Sequence, residues 1–263
     1  MSLILAATLV CLGGAGGFSA GLLGFGGGVL MFPLLYYVPP LIGSAALDAK
    51  TVAAIVVSQV FFATLTGSIA HFRSGRVQGR MALTAGALSA ISAFTGSVVS
   101  SRASEAFLLV LFGIVTLMVV LIMLLPAPSK SAEETAVGDV IVPQLPLLFF
   151  SLCAGLVIGF LGAGNFMFVP LMVYLLRVPT RIAIGSSLII AVMNTAGGFI
   201  GKLVTGQIPL LSATLVVAGA TLGALAGERA HGHVSSLVLR RIYAGMVALI
   251  ALRVWLTILG VDQ

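Results

Sequence analysis

Charge is what this chain has least of. Its 263 residues include 13 Lys or Arg and 7 Asp or Glu, 8% in all, against about 25% in an ordinary soluble domain. With 60% hydrophobic residues and a mean hydropathy of +1.22, a water-soluble globule is excluded. Cysteine is nearly absent too. Cys11 and Cys153 lie in apolar stretches without CxxC or Cys/His spacing, which excludes a disulfide framework and a metal centre and leaves two small, buried apolar residues. Residues 1–10 carry no basic cluster, so a removable leader is not expected and the N-terminus reads as part of the fold. A dinucleotide or phosphate loop at Gly24-Phe-Gly26 fails because no strand, lysine or acidic residue supplies its context. No cofactor is expected.

What the chain does have is long apolar runs. Asp48, the first charge, follows 47 uncharged residues, and a second run of 37 covers 140–176. About 20 helical residues cross the ~30 Å of a bilayer's hydrocarbon. Runs at 51–72, 81–101, 106–129, 182–201 and 203–227 are each one helix long, and 236–260 ends the series with Arg240, Arg241 and Arg253. Both long runs are broken by a glycine-rich stretch followed by proline, so each reads as two segments. The result is an all-α membrane protein: a polytopic helix bundle of ten segments, five on each side of a polar linker with Lys130, Glu133, Glu134 and Asp139. We divide it into a first membrane repeat (1–126), a cytoplasmic linker (127–143) and a second membrane repeat (144–263).

The halves resemble each other. Gly21-Leu-Leu-Gly24-Phe-Gly26-Gly27-Gly28-Val-Leu-Met-Phe-Pro33 parallels Gly159-Phe-Leu-Gly162-Ala-Gly164-Asn165-Phe-Met-Phe-Val-Pro170. Thr64-Leu-Thr-Gly67-Ser-Ile-Ala-His71 parallels Thr195-Ala-Gly-Gly198-Phe-Ile-Gly-Lys202. An odd number of segments per half makes the second copy enter from the opposite face, so the repeat is expected to be inverted. Cytoplasmic loops collect Lys and Arg. An inverted arrangement places Arg73, Arg76, Arg80, Lys130, Arg177, Arg181, Arg229, Arg240 and Arg241 inside and Lys50, Arg102, Lys202 and Arg253 outside. A parallel repeat leaves the majority outside. The inverted arrangement predicts both termini on the outer face of the membrane and the linker in the cytoplasm. It also accounts for most of the net charge of +6 without nucleic acid.

The glycine breaks carry the functional expectation. Glycine costs a helix about 1 kcal/mol relative to alanine, and irregular backbone at membrane depth survives only inside protein or beside a cavity. Beyond each break the apolar run is short, 29–38 before Pro39-Pro40 and 166–178 before Pro179. Each half therefore opens with a broken helical hairpin whose half-helix presents free N–H groups and a partial positive charge. Two facing copies would form one anion site from Gly24, Gly26, Gly27, Gly28, Gly162, Gly164 and Asn165. The competing reading is packing, which we assign to Gly155, Gly159, Gly219, Gly223 and Gly227 as small-residue notches.

These motifs, together with Val178-Pro-Thr-Arg-Ile-Ala183-Ile-Gly185-Ser186-Ser187-Leu188 and Gly223-Ala-Leu-Ala-Gly227-Glu-Arg229 before Arg240-Arg241, resemble the TauE/SafE sulfite exporter family of bacterial membrane transporters. The resemblance runs from about Gly13 to Leu259. It implies a secondary transporter that exports small sulfur-containing anions such as sulfite, sulfoacetate or related organosulfonates. Where the family's second loop often has a run of glycines, this chain has Asn165 and is one residue shorter than its own first copy.

Polar residues inside the membrane are functional candidates. Gln59, Ser186, Ser187, Asn194 and Thr195, with Ser58 and Thr64, could donate hydrogen bonds to sulfonate oxygens. The alternative is that hydroxyls bond back to their own helix and the amides link neighbouring helices. His71 and Lys202 occupy equivalent positions and read as pathway cations at opposite faces, or else as interfacial anchors, while Arg253 reads as snorkelling to the surface. No paired acids or Ser/His arrangement lies within the apolar runs, so an enzyme is not expected. The remaining alternative is an importer or channel-like permease for another small anion. The expected partners are a small anion and the lipid bilayer, and a homodimer stays open.

Overall fold

In lipid every peptide group must find its partner within the chain, and helices do this locally. The computed structural model describes residues 3–23, 27–72, 77–123, 142–231 and 236–259, all helix and connecting turns, with no strand among them. Ten helical segments follow in order among the described residues: α1 Leu3–Leu23, α2 Gly28–Leu41, α3 Ala49–Phe72, α4 Gly79–Ser100, α5 Glu105–Met123, α6 Gln144–Leu161, α7 Asn165–Leu175, α8 Thr180–Val204, α9 Leu210–His231 and α10 Ser236–Ile258. Seven of them (α1, α3, α4, α5, α6, α8, α9) are long and apolar enough to cross a membrane, whereas α2, α7 and the stretch Gly245–Ile258 of α10 are shorter. At 1.5 Å per residue α2 and α7 span only about 21 and 16 Å. Most of the linker 127–143, together with Gly24 and Gly26, lies outside the described residues.

The helices approach one another through small residues, because lipid gives apolar side chains no reason to associate beyond packing itself. α1 packs most extensively on α9, and α4 on α8 and α6. A Cβ added to Gly223 or Gly219 would collide with carbonyls of α1 at Gly14 and Val10, and one on Gly155 or Gly159 with carbonyls of α4 at Ser89 and Ala93. These are the notches read from the sequence, and Gly227 is also buried. Helix α3 runs through the centre, with residues 52–60 all buried. It crosses α8 antiparallel: Val57 faces Gly198, Phe61 stacks on Phe199 with ring centroids 5.3 Å apart, and Thr64 Oγ1 lies 3.5 Å from Thr195 Oγ1. Large apolar side chains such as Leu83, Ile91, Phe149, Leu222 and Leu249 point outward, where lipid solvates them.

Two expectations change. Cys11 is exposed and Cys153 half-buried, both as free thiols, so neither is a core residue; each sits on the outer side of a helix, where lipid takes the place of a core. And α2 does not stop before Pro39-Pro40 but includes both. A proline lacks an N–H but keeps its carbonyl, and the Pro40 and Pro39 oxygens accept from Gly43 N (3.1 Å) and Ser44 N (2.9 Å). Gly43, at φ 72°, makes the actual stop.

Candidate functional site

Both breaks form, and they touch. Gly27, at φ 66°, precedes α2, and Gly162, at φ 67°, ends α6. Each takes the left-handed conformation glycine adopts without strain. There is no space for a side chain either: a Cβ on Gly27 would stand 2.5 Å from Gly16 O, and one on Gly162 2.7 Å from Val57 N. A Cβ on Gly28 would lie 3.0 Å from Val60 Cγ2 and 3.3 Å from the Cα of Ala163. The start of α2 and the loop before α7 therefore meet against the middle stretch of α3. Residues 27–29 and 161–173 are buried.

Neither half-helix is capped by a side chain at its N-terminus. The first N–H groups of α2, at Gly28 and Val29, have no partner within their own helix, while Leu30 and Met31 N–H both reach back to Gly27 O at 3.2 and 3.1 Å. α7 winds irregularly, tight at Asn165–Met167 and wide over Leu171–Leu175. It closes with Val178 N bonded to Met172 O at 2.9 Å around Arg177, which takes φ 54°.

The polar candidates separate into two groups. Ser58 donates to Ala54 O (2.8 Å), Thr64 to Val60 O (2.8 Å), Ser187 to Ile184 O (2.9 Å), and Thr195 to Ala191 O. Their protons serve their own helices. Ser186 Oγ accepts from Gln78 N at 3.1 Å and so ties α8 to the start of α4. The carboxamides are different. Gln59, Asn165 and Asn194 are 0%, 7% and 0% exposed, and neither the nitrogen nor the oxygen of any of them makes a hydrogen bond to the protein. They do not link helices. A buried polar group without a partner costs about 1–3 kcal/mol, and such groups call for an explanation. Each is linked to α3 near Val60 through the contacts of a chain neighbour. Gln59 adjoins Val60 in the chain, and Asn165 lies two residues beyond Ala163, which meets Val60 at Gly28. Asn194 precedes Thr195, whose hydroxyl faces that of Thr64, itself bonded to Val60 O.

Lys202 is in the last turn of α8, as read, but it is 0% exposed and so does not anchor at the surface. Its Nζ donates to Ser100 Oγ at 3.0 Å and Gln207 Oε1 at 3.2 Å, both neutral. Gln207, past the turn at Gly206 (φ 67°), donates through Nε2 to Ser97 O at 2.9 Å. Ser97 Oγ in turn donates to Gly159 O (3.1 Å) and Gly198 O (2.9 Å), joining α4, α6 and α8 just before the second break. The sequence reading missed Ser97, Ser100 and Gln207, because a serine in α4 shows nothing of helices packed from the other half. His71 is in the last turn of α3, but its side chain lies outside the described residues. Arg253 is exposed, its guanidinium 5.3 Å from the Tyr37 ring centroid. No group of three metal-ligating side chains occurs among the described residues. A shallow, largely apolar cleft of about 270 Å³ near Arg102, Phe107 and Phe160 does not include the buried carboxamides.

A profile of the sulfite exporter TauE/SafE family matches residues 9–254. A Xylella fastidiosa protein named "Probable membrane transporter protein" is 35% identical over 181 residues, 67% of this chain and 66% of its own length. Two Bacillus subtilis proteins with the same description are more distant. YdhB is 22% identical over 85% of this chain and 89% of its own, and YunE 25% identical over 83% and 86%. No solved structure matches.

Proposed function

This chain belongs to the TauE/SafE sulfite exporter family, a family of membrane transporters, and from that premise we propose that it exports small sulfur-containing anions across the bacterial inner membrane by alternating access. The anion is sulfite, sulfoacetate or a related organosulfonate, and it binds where the two helix breaks meet. The observation that carries this reading is the set of buried carboxamides, Gln59, Asn165 and Asn194, without a protein partner around that junction. Each side-chain NH2 offers two donors, and the uncapped starts of α2 and α7 add backbone N–H groups and a partial positive charge. A sulfonate or sulfite oxygen accepts from all of these, and its binding relieves the part of the cost that the unpaired NH2 groups impose.

The repeat relation gives the motion. α1 packs on α9 and α6 on α4, which are corresponding pairs if 1–126 and 144–263 are inverted copies, and Thr64 meets its own counterpart Thr195. Rocking of one set of helices against the other would then exchange access between the faces around a fixed central site. Both termini lie on the periplasmic side in this arrangement. Flux into proteoliposomes across sulfite, thiosulfate, sulfoacetate and sulfate tests the reading. It predicts saturable flux of sulfite or a sulfonate with mutual competition. Flux that rises linearly with concentration, or no flux of any sulfur anion, overturns it.

A further inference from the structure

The buried ammonium of Lys202 has no role at the junction of the breaks. It lies between that junction and the membrane face at which α3 begins: Lys50, in the first turn of α3, donates from Nζ to Ser101 O at 3.1 Å, next to the Ser100 that Lys202 holds. Glu105 accepts from Ala49 N at 3.2 Å and thus caps the same helix end. Below Lys202, Ser97 bonds to Gly159 and Gly198, and Gly198 faces Val57 beside the second break.

We propose that Lys202, with Ser100 and Gln207, forms a second oxoanion site, occupied in passage between the junction and that face. This rests on the anion-carrier reading above. In its protonated form this buried side chain, held only by neutral acceptors, keeps most of its attraction for an anion, because low dielectric strengthens the unmet interaction. Exchange leaves nothing stranded. When an anion oxygen takes the ammonium, Ser100 Oγ still donates to Gln207 Oε1 (3.1 Å) or Ser97 O (2.7 Å), and Gln207 Nε2 still donates to Ser97 O and Thr205 Oγ1. The same pairing means that Lys202→Met removes a buried charge without orphaning its partners, so the variant folds.

The test uses the full chain in proteoliposomes with Cys11→Ala and Cys153→Ala. Lys202→Met and Lys202→Cys are compared with sulfite, methanesulfonate and chloride as parallel probes. Both variants should raise the half-saturation concentration at least tenfold while keeping the thermal stability of the parent. Aminoethyl methanethiosulfonate, which restores an amine on the introduced thiol of the Lys202→Cys protein, should return methanesulfonate flux to within about threefold of the parent; the uncharged methyl reagent should not. Saturating methanesulfonate, which unlike sulfite cleaves neither the mixed disulfide nor the reagent, should slow the modification. Parent-like flux in Lys202→Met, or equal flux after either reagent, overturns this site and leaves the central one standing. A parent that carries none of the three anions overturns both.

Discussion

At the scale of single residues, the most informative groups are those that give up stability. Gln59 and Asn194 stand fully buried with no bond to the protein, an arrangement that costs a folded state and is kept where it serves something else. The expected signature is a separation of stability from activity. Asn194→Leu should raise the melting temperature in detergent, since it removes an unsatisfied amide worth about 1–3 kcal/mol. The milder Asn194→Ala should weaken anion binding by about 1 kcal/mol, roughly fivefold. A melting temperature that falls in Asn194→Leu with binding unchanged would return Asn194 to a packing role. The sequence named both carboxamides because uncharged polar groups in apolar runs are conspicuous. It sets them apart from Ser187 and Thr195 only by tendency, since whether a given hydroxyl turns back to its own carbonyl depends on a rotamer. The burial of Lys202 is hidden for a related reason: a lysine at a helix end usually reaches water, and here α4 and the Gln207 turn cover it.

At the scale of elements, glycines decide how closely helices approach, and their environments differ enough to give opposite predictions. A Cβ on Gly197 would collide with the Ala90 carbonyl, whereas one on Gly245 meets nothing within 4 Å. Gly197→Leu should separate α4 from α8 and destabilise the protein by at least about 1–3 kcal/mol, on the order of other overpacked cores. Gly245→Ala should stabilise α10 by about 1 kcal/mol through helix propensity alone. Thermal unfolding of the two variants side by side checks both signs. At the break itself, Gly164→Leu would press on Ile158 Cγ1, 2.6 Å from the position of a Cβ, and should abolish flux while the protein still inserts and purifies as a monodisperse species; unaltered flux would remove that break from the mechanism. The breaks and half-helices were legible because glycine clusters followed by proline interrupt long apolar runs in only two places. The end of α2 was not, because a proline pair keeps its carbonyls, and those of Pro40 and Pro39 accept from Gly43 N and Ser44 N, so the last turn closes past the pair.

At the scale of the whole molecule, ten segments and their order followed from hydrophobic length and charge spacing, which any membrane span must obey. The pairing of α1 with α9 and of α6 with α4 did not, since the small-residue faces that make it are found only once the helices are assembled. The proposed inverted arrangement fixes the sides of the membrane. Single cysteines placed at Arg102 and at Arg177 in a cysteine-free background should react with an impermeant maleimide from opposite faces of intact cells, Arg102 from the periplasm. Labelling of both from one face would refute it.

The central claim is that an oxoanion is held by carboxamides where the two interruptions of the chain touch. Equilibrium binding of radiolabelled sulfite to the purified protein and to the Asn165→Leu/Asn194→Leu variant tests it most directly. The account predicts saturable binding displaced by sulfoacetate in the parent, and affinity at least tenfold weaker in a variant that is equally or more stable to heat. Undiminished binding in that variant would contradict it.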